Sequence, residues 1–189
     1  MAEDRTLGER FELALKMASG YHADQVRKGA DTPYFGHLLG VASLVIDEGG
    51  TEDEAIAALL HDAPEDQGGM EALDEIGRVF GDHVREIVLG LSDTLDDPKP
   101  PWRERKEKYL AHLRQEDDRS VLLVSIADKL HNARSIVLDL AEHGEKVWQR
   151  FGGGREGSLW YYEELVDIFN ERFPGPLADE FSRTVARLS

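Results

Sequence analysis

TEDEAIAALLHDAPED, residues 51–66, reads as a capped helix that ends in a cluster of metal-ligating side chains. Thr51 stands where an N-cap belongs, and Glu54 completes the capping-box pattern. In that box the hydroxyl accepts from a backbone N–H, while the carboxylate reaches back to the cap. The run AIAALL, 55–60, is apolar on every side, so the helix is expected to be buried on most faces. Pro64 lacks the N–H that would bond the Leu60 carbonyl, and its ring crowds that carbonyl. The helix should therefore kink or end there. On a regular helix His61 and Glu65 would share a face, as would Asp62 and Asp66; Pro64 makes these relations approximate. Carboxylates are rarely buried unless paired or metal-bound. Like charges one turn apart cost about 0.2–0.5 kcal/mol on an open helix and more with less water. A divalent cation is the economical compensation. Taken alone, the segment could equally be a solvated helix end.

Outward from this stretch the pattern is helix after helix. Leu7, Phe11, Leu15 and Ala18 recur at helical spacing over 7–19, with Gly20 as a stop. Residues 20–33 read as a loop or short helix ending at Thr32-Pro33. Tyr34 to Glu48 is apolar on a wide face and closes at Gly49-Gly50. Further helices are expected at 70–80, 82–92, 102–116, 118–143, 158–172 and 176–188. DTLDDPKPPW (93–102) and FGGGREG (151–157) read as loops. VLLVSI, 121–126, could be a buried strand, but it runs directly into a helical pattern. The expected class is all-α. A chain of 189 residues suits one domain spanning 1–189.

Bulk composition excludes several functions. A net charge of −16 repels nucleic acid and anionic membranes at long range. No apolar run approaches the ~20 residues of a spanning helix. The charged start MAEDRTLGER has no apolar signal core. The expectation is a cytoplasmic protein that binds neither nucleic acid nor membrane. The absence of cysteine excludes disulfides, thiolate ligands and a Cys nucleophile. A small phosphorylated ligand remains compatible, because a local cation can reverse the field inside a pocket.

Two further segments carry chemistry. In SIADKLHNARSI, 125–136, Asp128 follows an apolar run and Asn132 lies one turn on. This could be a buried polar cluster, or an Asp satisfied by Lys129 or Arg134 on a surface helix. In YHADQVRKGADTPYFGH, 21–37, Arg27-Lys28 is a basic pair in an acidic protein. Arg offers a planar fork to phosphate and Lys a point charge; an ordinary solvated loop would look the same. His37 sits in an apolar helix, where it could be a core histidine or a ligand. Gly152-Gly153-Gly154 lacks P-loop context and reads as a flexible loop. His22, His83, His112, His131 and His143 read as surface or core residues, and Trp102, Trp148 and Trp160 as packing.

Taken in order, His37, His61-Asp62, Glu65-Asp66 and the DKLHN run at 128–132 resemble the HD superfamily of metal-dependent phosphohydrolases. The resemblance covers roughly residues 10–170. Within the superfamily it is to the stand-alone small alarmone hydrolases and the hydrolase domain of Rel/SpoT proteins. It implies a single HD-type helical bundle, with one divalent ion, typically Mn2+, held by His37, His61, Asp62 and Asp128. It implies that Glu65 and Asp66 position and activate the attacking water. It places Arg27, Lys28, Asn132 and Tyr161 on the nucleotide, with Tyr162 as the alternative register. The implied reaction is hydrolysis of (p)ppGpp at the 3′ position, giving GDP or GTP and pyrophosphate. The chain departs from the pattern at Gly157, where a basic residue is frequent, at Gln67, where Thr is frequent, and at Pro64. The same metal chemistry would serve another nucleotide, such as NADPH or a nucleoside monophosphate. A non-catalytic metal-containing nucleotide sensor would also keep the metal site, although it would not need the acidic pair.

Overall fold

Helix α3, Glu52–Leu60, is the axis of the N-terminal half. The structure, a computed structural model, describes residues 6–29, 31–96 and 98–189. The charged start at 1–5, and Ala30 and Asp97 in two of the expected loops, lie outside them. The capping box forms in both directions: Thr51 Oγ1 accepts from Glu54 N, and Glu54 Oε2 accepts from Thr51 N at 2.6 Å. Every side chain from Ala55 to Leu60 is fully buried. Burying Ile56, Leu59 and Leu60 stabilises the fold by about 1.5–3 kcal/mol each.

The chain divides into two compact units, Met1–Lys99 and Pro100–Ser189. In the first, α3 packs against α1 (Glu9–Tyr21), α2 (Phe35–Asp47) and α5 (Asp82–Leu91). Helix α4, Gly69–Phe80, pairs with α5 across Gly81, whose φ of 97° suits glycine and breaks the two apart. The regular helix stops at Leu60, as Pro64 requires, and Pro64–Gly68 forms a wide π turn. Helix α1 does not stop at Gly20 but runs one residue past it.

In the second unit, α7 (Arg119–His143) packs on α9 (Pro176–Val185) and α8 (Gly154–Arg172), and α6 (Trp102–Gln115) packs on α8. Asp118 caps α7 by accepting from Ser120 N at 2.8 Å. VLLVSI is helical and buried inside α7. No strand occurs among the described residues; Val26 and Pro33 form one isolated bridge.

One expected loop is partly helix. Helix α8 begins at Gly154, inside FGGGREG. The glycines there make room for an aromatic ring. A Cβ on Gly153 would lie 2.6 Å from the Trp102 ring, and one on Gly157 3.2 Å from it. The glycine run thus encodes close packing rather than a flexible loop. No helix among the described residues is long and apolar enough to cross a membrane.

Candidate functional site

Helix α2 buries His37 along with Leu38, Val41 and Val45, on the face turned to α3 and α1. His61, also buried, is the C-cap of helix α3. His61 Nδ1 lies 2.8 Å from the Ala58 carbonyl, which can only accept. Nδ1 therefore carries the proton, which puts the lone pair of the neutral ring on Nε2, and this backbone bond fixes the ring's aim. His61 Nε2 lies 2.9 Å from Asp62 Oδ2, and His37 Nε2 lies 3.6 Å from the same oxygen. The two imidazole rings stand edge to face with centroids 5.4 Å apart. Two imidazole nitrogens thus lie within 3.6 Å of one carboxylate oxygen. A cation there satisfies all three, so the donor set fits a divalent ion.

The acidic pair sits in the π turn. Lys99 Nζ lies 3.2 Å from Glu65 Oε1 and 3.7 Å from Asp66 Oδ1. Asp66 Oδ2 accepts from Gln25 Nε2 at 2.9 Å. Asp62 Oδ2 accepts from the Tyr34 hydroxyl at 2.5 Å. Both helpers come from the segment before α2, which is a small hairpin. Arg27 N bonds Thr32 O, Tyr34 N bonds Gln25 O, and Gly29 turns the chain at φ 77°. Arg27 is half-buried with its guanidinium 5.6 Å from the Tyr34 ring centre, while Lys28 is exposed.

The second unit holds its own polar cluster. Asp128 is buried at 5% exposure on α7. Its Oδ1 accepts from Asn132 Nδ2 and its Oδ2 from Lys129 Nζ, both at 2.6 Å. Lys129 is the expected ionic partner, but the pair is buried rather than on a surface helix; Arg134 turns to Glu180 instead. Burial pushes the Lys129 pKa down, but Asp128, Tyr161 and Tyr109 together outweigh it and the net value lies well above that of an ordinary lysine. Tyr161 is raised as well, first by burial, against the opposing charge of Lys129. Lys129 Nζ lies 5.0 Å from the Tyr109 ring centre, and Lys106 Nζ 5.1 Å from that of Tyr161. Tyr162 packs on Phe181 with centroids 6.2 Å apart. Tyr161 is coupled electrostatically to Lys129 and Asp128, and its ring lies 5.9 Å from that of Tyr162.

Within the first unit the structure joins His37, His61 and Asp62, and it joins Glu65 with Asp66 through Lys99. Within the second it joins Asp128, Asn132 and Tyr161. Sequence reasoning missed Tyr34, Gln25 and Lys99 as partners of the carboxylates. Their positions 28, 41 and 33 residues from Asp62, Asp66 and Asp66 respectively leave no periodic trace.

The HD domain family model matches residues 14–159. The chain belongs to the HD domain family. It is homologous to the MESH1 proteins. Guanosine-3′,5′-bis(diphosphate) 3′-pyrophosphohydrolase MESH1 of Mus musculus is 36% identical over 171 residues, covering 84% of this chain and 92% of that protein. The protein of the same name from Xenopus tropicalis is 40% identical over 126 residues, covering 65% and 67%. A solved structure of a metazoan ortholog of SpoT, described as hydrolysing ppGpp with a role in starvation responses, shares the fold. Its TM-score is 0.79 at 24% identity, covering 97% of this chain and 98% of that one. As an HD domain the chain is expected to carry a divalent metal, and the His37–His61–Asp62 convergence is the feature that fits one.

Proposed function

We propose that this HD domain is a Mn2+-dependent guanosine-3′,5′-bis(diphosphate) 3′-pyrophosphohydrolase, converting (p)ppGpp to GDP or GTP and pyrophosphate. The observation that carries the chemistry is the convergence of His37 Nε2, His61 Nε2 and Asp62 Oδ2, with His61 oriented by a backbone carbonyl. The substrate follows from the likeness to MESH1 of Mus musculus over 92% of that protein.

In this reading His37, His61, Asp62 and Asp128 hold the ion, and the two units work as one HD-type domain in the cytoplasm. The bound ion supplies Lewis acidity toward water and the phosphoryl group. Glu65 and Asp66 orient the attacking water and take its proton. The bond broken joins phosphorus to the ribose 3′-oxygen. The water oxygen leaves on pyrophosphate, and a proton returns to the 3′-hydroxyl. Arg27 lies flat against the guanine base, with Tyr34 supporting its guanidinium from behind. Lys28 meets the phosphates as an exposed point charge. Asn132 and Tyr161 contact the nucleotide. Lys99 tempers the repulsion between Glu65 and Asp66.

The test is turnover by the purified chain with Mn2+ against ppGpp, pppGpp, NADPH and nucleoside monophosphates. Pyrophosphate release from the two guanosine 3′-diphosphates is expected. An inert alarmone beside a hydrolysed NADPH or monophosphate would overturn the substrate, and alarmone binding without turnover would make the chain a sensor.

A further inference from the structure

Four side chains outside the ligand set are tied into one arrangement by hydrogen-bond logic that starts at Asp66. Its carboxylate accepts, so the Gln25 atom 2.9 Å away must be the amide NH2. Gln25 Oε1 then faces the other way, where two groups approach it at 2.6 Å: Gln67 Nε2 and His22 Nδ1. An amide oxygen only accepts, so His22 carries its proton on Nδ1. His22 is buried and stacks on Tyr34, with centroids 5.3 Å apart and planes 28° from parallel. Tyr34 donates to Asp62 Oδ2 at 2.5 Å. The two residues that hold the carboxylates are also bonded through the backbone, Tyr34 N to Gln25 O at 2.8 Å.

We propose that this hairpin rung is the positioning device of the site: Tyr34 aims Asp62, Gln25 aims Asp66, and His22 and Gln67 lock the Gln25 amide. The inference rests on the site reading above, in which Asp62 binds metal and Asp66 handles water. One rung then sets the spacing between the metal ligand and the water-directing carboxylate. The backbone bond from Asp66 N to Asp62 O, 2.9 Å, ties the main chains of the two residues together, and the rung then aims their side chains. Gln67, which departs from the family pattern, gains a purpose as the second donor to Gln25 Oε1.

The two arms of the rung predict different defects, read in the full-length chain. Tyr34→Phe keeps the stack on His22 but removes the donor to Asp62; Mn2+ affinity should fall about 10–100-fold by calorimetry. Gln25→Met keeps the volume and removes the amide; kcat for ppGpp should fall about 10–100-fold, with KM and Mn2+ affinity within about twofold. His22→Asn retains a donor at the Nδ1 position and should hold kcat within about threefold, whereas His22→Leu should match Gln25→Met. Nitrogen NMR of the metal-free protein should show His22 as the Nδ1–H tautomer. The proposal is overturned if Gln25→Met keeps full kcat, if Tyr34→Phe keeps full Mn2+ affinity, if His22→Asn does no better than His22→Leu, or if His22 is the Nε2–H tautomer. A wild-type chain inert toward ppGpp overturns the proposed function and with it the catalytic part of the rung's role. An active wild type with an equally active Gln25→Met overturns the rung alone.

Discussion

Replacing Asp128 by Asn in the metal-free protein measures how strongly the Asp128 cluster depends on a buried ion pair. Asp128 Oδ2 lies 2.6 Å from Lys129 Nζ, and their side chains are only 7% and 15% exposed. The substitution keeps the shape and keeps an oxygen for Asn132 to bond, but it leaves the Lys129 ammonium beside Tyr109 and Tyr161 without its counter-charge. Deleting one partner of a buried pair typically costs about 3–5 kcal/mol. Lys129 is not fully enclosed and its long stem can swing its head toward water, which lowers the expected cost to about 2–3 kcal/mol. Lys129→Met in the same background removes the stranded charge, so the double variant should recover at least half of that loss. The assay is urea unfolding of the four-member cycle followed by circular dichroism in chelator, which removes metal from the comparison. The coupling energy should exceed about 1 kcal/mol. The linkage sign sets the pH window. Lys129 has a raised pKa when folded, so its contribution is present below the unfolded lysine value and lost only as pH rises through the higher folded one. The cycle should therefore read alike at pH 6 and pH 8. Equal destabilisation of the Asp128→Asn single and the double variant, with coupling below about 0.5 kcal/mol, would refute the reasoning.

Three further outcomes are expected. Asp66→Ala should abolish most turnover yet keep metal, while Asp62→Ala should lose metal; equal metal loss by elemental analysis would count against the division of roles. Tyr21→Phe removes the 2.7 Å bond to Glu75 and should cost about 0.5–1.5 kcal/mol at neutral pH. Burial first and then Glu75 raise the Tyr21 pKa, so wild-type stability should start to fall as pH passes the unfolded tyrosine value of about 10, and Tyr21→Phe should show a shallower limb in alkaline melts. Gly153→Ala puts a Cβ 2.6 Å from the Trp102 ring and should cost about 1–3 kcal/mol by urea midpoint, with a smaller penalty in a Trp102→Leu background.

The helices were legible because their causes are local. The Thr51–Glu54 box, the apolar run 55–60 and the break at Pro64 each act within a few residues, and each appears in α3 and the turn after it. Gly81 separates α4 from α5 where expected. The glycine run at 152–154 misled for a physical reason. Glycine marks either backbone freedom or close approach, and only the Trp102 ring, far away in sequence, decides between them. The ambiguity of VLLVSI was of the same kind, since a short apolar run is periodic in neither sense and the length of α7 settles it.

The site was half legible by the same rule. His61, Asp62, Glu65 and Asp66 lie in one short run, and the resemblance pointed to His37 and Asp128 as remote candidate ligands. What orients those groups could not be read, because a hydrogen-bond network carries no spacing rule. Gln25 and Gln67 look like ordinary polar residues, and Tyr34 like a residue beside a helix start. Their meaning comes from donor and acceptor arithmetic, which needs distances. Asp66 accepts, so Gln25 must turn its NH2 toward it; Gln25 Oε1 accepts, so His22 must be protonated on Nδ1. One carboxylate thereby dictates the state of an imidazole two hydrogen bonds away. The substitutions most damaging to such a site without touching a ligand are those that reverse a donor, Gln25→Glu above all. That change sets a carboxylate against Asp66 and removes the donor that aims it, although no sequence pattern distinguishes the two residues.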